Sequence, residues 1–256
     1  MLYLAVLIVS IIAGFGTGLL GIGGGIVIFP SFMFILPALG LEAFSINTIT
    51  GIASMQILMS SFFAFLSHRK LNVIDKKDLY LIGASAAFGS FSGAVSSAYF
   101  SQKVLLSMYL LILIIAFYSM FTKTVVNDEN ENNSNEKKHF LVRFLLFGTG
   151  ILAGALGLGG SVLYVPILRK YYKISTKLCI SSTTFIVFCG AAMGFAGKMI
   201  TGQVPYHLLI FTVFGSFIGA KAGSLLCRRL SSAILKKLLM GIIIISAIRV
   251  MITILQ

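Results

Sequence analysis

Gly14–Pro30 reads GFGTGLLGIGGGIVIFP, and Gly150–Pro166 reads GILAGALGLGGSVLYVP. Six positions repeat at a constant spacing of 136: Gly14, Gly18, Gly21, Gly23, Gly24 and Pro30 stand opposite Gly150, Gly154, Gly157, Gly159, Gly160 and Pro166. Thr48 and Thr184 keep the same spacing. Further on, Phe88–Ala94 (FGSFSGA) returns as Phe214–Ala220 (FGSFIGA) at a spacing of 126. Two matches in the same order make an internal repeat, and a repeat governs the whole architecture. The chain divides into a first repeat, 1–121, a polar linker, 122–139, and a second repeat, 140–256. The linker is rich in Asn and Glu and reads as disordered.

Each repeat is built of apolar runs: Leu2–Leu20, Ala43–Leu66, Leu79–Phe100 and Val104–Phe121 in the first, Tyr206–Leu226 and Leu235–Leu255 in the second. A helix needs about 20 apolar residues to cross about 30 Å of hydrocarbon, and these runs approach that length. They lack the two-residue alternation of a membrane barrel strand. Of the 256 residues 58% are hydrophobic and 11% charged, and the mean hydropathy is +1.01. A soluble domain carries about 25% charged residues, so this chain has too little polar surface for a water-facing globule. The reading is an all-α integral membrane protein, multi-pass, in the cell (inner) membrane. Leu2–Leu20 follows no basic segment and precedes no small-residue cleavage site, so it is expected to stay as structure.

The net charge of +13 does not point to nucleic acid. The Lys and Arg residues lie almost entirely in short loops, where the positive-inside rule puts them. Pro37–Glu42 has none, His68–Asp78 four and Ser101–Lys103 one. The corresponding loops of the second repeat reverse the order: Arg169–Lys177 has four, Lys198–Pro205 one and Arg228–Lys237 four. The bias places the basic loops and the linker in the cytoplasm and the N-terminus outside. Equivalent elements then face opposite ways, the inverted-repeat plan of many secondary transporters. The expected fold is two inverted-topology repeats, each a glycine-broken helical hairpin plus about three transmembrane helices.

The hairpins carry the candidate site. In each repeat the apolar run breaks at Gly-x-Gly-Gly and resumes briefly; Ser161–Tyr172 spans about 18 Å as a helix, too short to cross alone. Non-helical backbone at that depth must be buried in protein or line a wet cavity. A helix returning from the break presents its first N–H groups and the positive end of its dipole. Glycine lets a ligand approach that backbone closely. Such a place binds an anion without a cation. The residues assigned to it are Gly21, Gly23, Gly24 and Gly25 with Gly157, Gly159, Gly160 and Ser161. Gly14, Gly18, Gly150 and Gly154 fit helix packing instead.

Hydroxyls and amides in the apolar runs add donors: Thr48, Thr50 and Gln56, with Thr183 and Thr184 in the second repeat; Ser54 is weaker. Each has the alternative of bonding its own helix carbonyls. Lys198, Lys221 and Arg249 fall near segment ends and are expected to snorkel to the interface. His68 and His139 are expected in loops, and His207 at the opening of a helix on the outer side. All seven carboxylates lie in loops or the linker. Cation carriers usually keep one in the membrane, so an anionic or neutral solute is favoured. Cys179, Cys189 and Cys227 show no metal or disulfide spacing. No Walker loop, HExxH or Ser/His pairing is present, so neither ATP use nor enzyme chemistry is expected, and no cofactor.

At Gly18–Pro30, its echo Gly154–Pro166, the Asn47-Thr48 and Thr183-Thr184 steps, His68–Asp75 (HRKLNVID) and the FGSFxGA pair, the chain resembles the sulfite exporter TauE/SafE family. The resemblance covers essentially the whole chain. Asn72 stands where that family often has Gly, and Ser161 replaces a third glycine. The resemblance implies a transporter of sulfite, sulfonates or related organic anions. The expected partners are a small anionic solute and membrane lipid; homo-oligomer formation is left open. An anion channel and a non-transporting membrane scaffold or insertion protein stay as alternatives.

Overall fold

In the computed structural model, the described residues are 1–20, 25–41, 44–68, 75–119, 136–172, 176–227 and 232–255. Their regular structure is helical throughout, as hydrocarbon demands when every backbone group must be paired within the chain. The first repeat holds α1 (Leu2–Leu20), α2 (Gly25–Pro30), α3 (Leu36–Ala38), α4 (Ile46–His68), α5 (Lys76–Ser96) and α6 (Gln102–Ser119). The second holds α7 (Glu136–Leu156), α8 (Ser161–Tyr172), α9 (Thr176–Ile200), α10 (Tyr206–Cys227) and α11 (Ser232–Leu255). Among the described residues four helices are long and apolar enough to cross a membrane: Lys76–Tyr99, His139–Leu156, Ser182–Ile200 and Tyr206–Gly223. Leu2–Gly16, Gly25–Ala38, Gln102–Tyr118 and Met240–Ile254 are shorter apolar stretches. Phe88, Ile114, Phe144, Phe214 and Ile245 stand exposed on the outside, a surface suited to lipid.

The segment after the first glycine run is not one regular helix. Pro30 has no N–H, so the Ile26 carbonyl four residues back loses its helical donor. Tyr109 of α6 supplies one: its hydroxyl donates to the Ile26 carbonyl at 3.0 Å, and its ring stacks on Phe29 at 4.4 Å between centroids. The chain then widens into a π turn, Ser31–Ile35, before α3. There the Ser31 hydroxyl donates to the Val27 carbonyl at 2.7 Å.

The repeats are interlocked. α1 lies along α10, and α5 along α7. A Cβ on Gly219 would strike the Ile11 carbonyl, and one on Gly14 the Ser216 carbonyl. Across the other pair, Gly89 faces the Phe147 carbonyl, Gly93 that of Ile151 and Gly154 that of Ser90. These glycines let two backbones touch, so Gly14, Gly150 and Gly154 have the packing role expected of them. α1 and α7 occupy one place in the repeat, and α5 and α10 another. One contact is therefore used twice. Between the two pairs α4 packs on α9, with Phe65 stacked on Phe188 at 6.0 Å and 3°.

Where α5 and α7 begin and α8 ends, Asp78 joins them. Arg143 Nη2 donates to its Oδ1 at 3.1 Å, and His139 Nδ1 lies 3.0 Å from Oδ2. The Tyr172 hydroxyl is 3.3 Å from the same His139 nitrogen. His139 is thus helical and not in a loop. α7 starts at Glu136, inside the stretch that composition assigned to the linker.

Candidate functional site

α7 stops because Gly157 takes φ +63°, a left-handed conformation that costs glycine little. The Gly157 N–H bonds the Gly154 carbonyl at 3.3 Å and the Leu158 N–H bonds the Ala153 carbonyl at 2.9 Å, the Schellman pattern. Gly159 (φ +67°) and Gly160 (φ +68°) keep the chain out of helix for two more left-handed steps. α8 then starts, with the Leu163 and Tyr164 N–H groups both bonding the Gly160 carbonyl at 2.9 Å. A side chain on Gly157 would strike the Thr50 carbonyl of α4; one on Gly160 would strike the Tyr164 ring. The first repeat arrives at the same place. A Cβ on Gly25 would lie 2.7 Å from Leu158 Cα, so the two glycine segments touch backbone to backbone.

Behind this turn sits a residue that the sequence reading placed elsewhere. Lys198 does not snorkel: it is 0% exposed. The reason is local. Gly202 (φ +69°) ends α9 in a second Schellman motif, with Gln203 N–H on the Lys198 carbonyl at 3.0 Å and Gly202 N–H on that of Met199 at 3.1 Å. Lys198 is therefore the last full turn of the helix and points into the bundle, and the chain folds back so that Gln203 covers it. Four oxygens lie within hydrogen-bond distance of its Nζ: Ser97 Oγ at 2.7 Å, the Ala155 carbonyl and Gln203 Oε1 at 2.8 Å each, and Thr50 Oγ1 at 2.9 Å. The Ala155 carbonyl is one that the Schellman bonds of α7 leave over. A cation there also suits the negative end of the α7 dipole.

The other partners are held in turn. Ser97 donates its hydrogen to the Ala94 carbonyl at 2.6 Å, Thr50 to that of Asn47 at 2.9 Å. Gln203 Nε2 donates to Thr201 Oγ1 at 2.6 Å and the Ala94 carbonyl at 3.2 Å. α4, α7, α9 and the turn that follows α5 thus converge on the Lys198 nitrogen. Ser97 and Gln203 carried no signal of their own in the sequence; Gly202, a helix-ending glycine shortly after a lysine, was the available clue.

The remaining expected residues divide. Gly21, Gly23 and Gly24 lie outside the described residues. Gly157, Gly159, Gly160 and Ser161 form the turn and the start of α8, and Gly25 meets it. Thr50 is in the lysine cluster, on the side of α4 that faces the turn. Thr48 is engaged at the helix start, its Oγ1 2.8 Å from the N-cap Ser45 hydroxyl and its N–H donating to that oxygen at 3.2 Å. Ser54 donates to the Gly51 carbonyl at 2.7 Å. Thr183 is buried and Thr184 half-buried on α9. Among the described residues neither amide atom of the buried Gln56 has a hydrogen-bond partner, nor has the buried Tyr164 hydroxyl beside Gly160. A polar atom buried unpaired costs about 1–3 kcal/mol. Ser54, Ser90, Gly154, Gly157 and Gly159 border a cavity with room for about one water.

A bundle of apolar helices, a glycine turn at Gly157–Gly160 met by the start of α2, and a buried polar centre fit a multi-pass membrane protein. The chain belongs to the sulfite exporter TauE/SafE family, whose model matches residues 6–250. Among its relatives is the "Probable membrane transporter protein YunE" of Bacillus subtilis, 24% identical over 248 residues and 91% of each chain. Another is the "Probable membrane transporter protein MJ0441" of Methanocaldococcus jannaschii, 28% identical over 70% of this chain and 68% of that one. A "Probable membrane transporter protein" of Haemophilus influenzae is 24% identical over 91% of this chain and 88% of its own. No solved structure matches the chain. The family is one of membrane transporters and not of enzymes.

Proposed function

We propose that the chain is a secondary transporter, working as an exporter, of small anions such as sulfite, sulfonates or related organic anions. The substrate is bound where the two glycine segments meet, near the bilayer midplane. The observation that carries this reading is the turn at Gly157–Gly160, three left-handed glycines against the start of α2. Irregular backbone at membrane depth is tolerated where protein buries it or it lines a cavity, and here Gly157 and Gly159 border one. The start of α8 offers an anion its dipole, and the Tyr164 hydroxyl, without a partner among the described residues, a donor. Thr50, Gln56, Thr183 and Thr184 supply further polar groups around it.

The two halves are read as inverted repeats, which suits alternating access about α4 and α9. The present cavity is too small for an oxyanion, so loading requires the repeats to shift against each other. The test is uptake and efflux in proteoliposomes across a panel of sulfite, sulfonates and carboxylates. Saturable flux of one or more anions is expected. Non-saturating flux indicates a channel, and no flux across the panel overturns the reading in favour of a scaffold.

A further inference from the structure

We propose that Lys198 sets the charge selectivity of the path, a buried ammonium with no counter-ion among the described residues, whose field makes the glycine turn prefer an anion to its neutral isostere. The inference rests on the transport reading above and adds a residue to it. Its first support is the hydrogen bonding. Each of these four oxygens presents a lone pair: Ala155 O and Gln203 Oε1 accept only, the Thr50 hydroxyl donates to the Asn47 carbonyl, and that of Ser97 has the Ala94 carbonyl and Gln203 Oε1 as acceptors. A neutral amine brings two donors and a lone pair that would face oxygen. The ammonium brings a third donor in place of that lone pair, so three of the four oxygens receive a hydrogen instead of two.

Its second support is the lack of a compensating charge. Two carboxylates have described side chains: Asp75 is exposed, and Asp78 is held by Arg143 and His139. None pairs with Lys198 among the described residues. A neutral side chain caps a helix carbonyl without the desolvation cost of a buried charge. Capping α7 therefore does not by itself account for a lysine.

Its third support is position. The Ala155 carbonyl lies two residues before Gly157, and Thr50, whose hydroxyl accepts from Nζ, has its carbonyl packed against Gly157. The charge therefore stands next to the residues that lead into the turn and pack against it. Lys198 is a positioning residue in this scheme: it acts on the anion through its field and touches no substrate.

The experiment compares methanesulfonate with methanesulfonamide, equal in shape and different in charge, in proteoliposomes of the wild type, Lys198→Gln and Lys198→Arg. Protein-free vesicles supply the passive background. A unit charge about 8 Å away in an effective dielectric of about 20 changes the affinity for a monoanion about thirtyfold. We expect Lys198→Gln, which keeps donors and loses charge, to raise KM for methanesulfonate by on the order of tenfold or more on that basis. Methanesulfonamide flux should stay unchanged, and Lys198→Arg should keep KM within about threefold of wild type. An unchanged KM in Lys198→Gln, or an equal loss in Lys198→Arg, overturns the inference. If Lys198→Gln does not reconstitute, equal wild-type KM values for the sulfonate and the sulfonamide overturn it instead. Wild-type protein that moves neither methanesulfonate nor sulfite overturns the transport reading itself.

Discussion

Gly160 combines two constraints that a single substitution breaks. Its φ of +68° is strained for any side chain, and a Cβ there meets the Tyr164 ring. Gly160→Leu should abolish sulfite flux while the protein still inserts and purifies as a folded species; full flux would reduce the turn to a packing device. Thr48→Val should be milder, because Thr48 is bonded to the N-cap Ser45 and removes at most one helix-end interaction. Tyr109→Phe deletes the donor that Pro30 makes necessary at the Ile26 carbonyl. It should lower stability by about 1–2 kcal/mol, measured as a loss of melting temperature in detergent. An unchanged melting temperature would mean that another group reaches that carbonyl. The glycines of the turn were legible because their spacing repeats, and Thr50 because a hydroxyl in an apolar run is conspicuous. Lys198 was not. A lysine near the end of an apolar run normally reaches water, and its inward direction depends on how Gly202 ends α9 and on which helices stand around it.

The helices themselves were legible from hydropathy, and the break before Ser161 from a segment too short to span. The irregular course of Gly25–Ala38 was less so, since the π turn depends on Tyr109 arriving from α6 to permit Pro30. The FGSFxGA motif was visible as a repeat without a role. In three dimensions it is the surface on which α1 and α7 lie, glycine against carbonyl. Gly93→Val and Gly219→Val should therefore each destabilise by roughly 2 kcal/mol or more, by overpacking a backbone contact. The double variant should be close to additive, because the two contacts belong to separate helix pairs. Thermal unfolding in detergent measures this, and near-neutral singles would contradict the close-contact account.

At the scale of the molecule, the repeat was plain in the sequence, and the packing pairs exchange when the halves are exchanged. With Lys198 inside α9, Thr201–Pro205 carries no Lys or Arg at all, which sharpens the contrast with its basic neighbours. Single cysteines at Ser101 and Ser134, in a background lacking the native three, should accordingly label from opposite sides of the membrane. Labelling of both from outside intact cells would end the inverted-repeat reading. Energy coupling belongs here too. A monoanion leaving a cell with a negative interior gains roughly 2.3 kcal/mol per 100 mV and needs no coupled ion. His207, exposed and edge-on to Tyr3 at 6.4 Å, has no role in this scheme, and His207→Gln should keep most activity. The most direct test is sulfite efflux from loaded proteoliposomes under an imposed potential. Efflux should rise when the interior is made negative; efflux indifferent to potential but collapsing with a pH gradient would contradict the account.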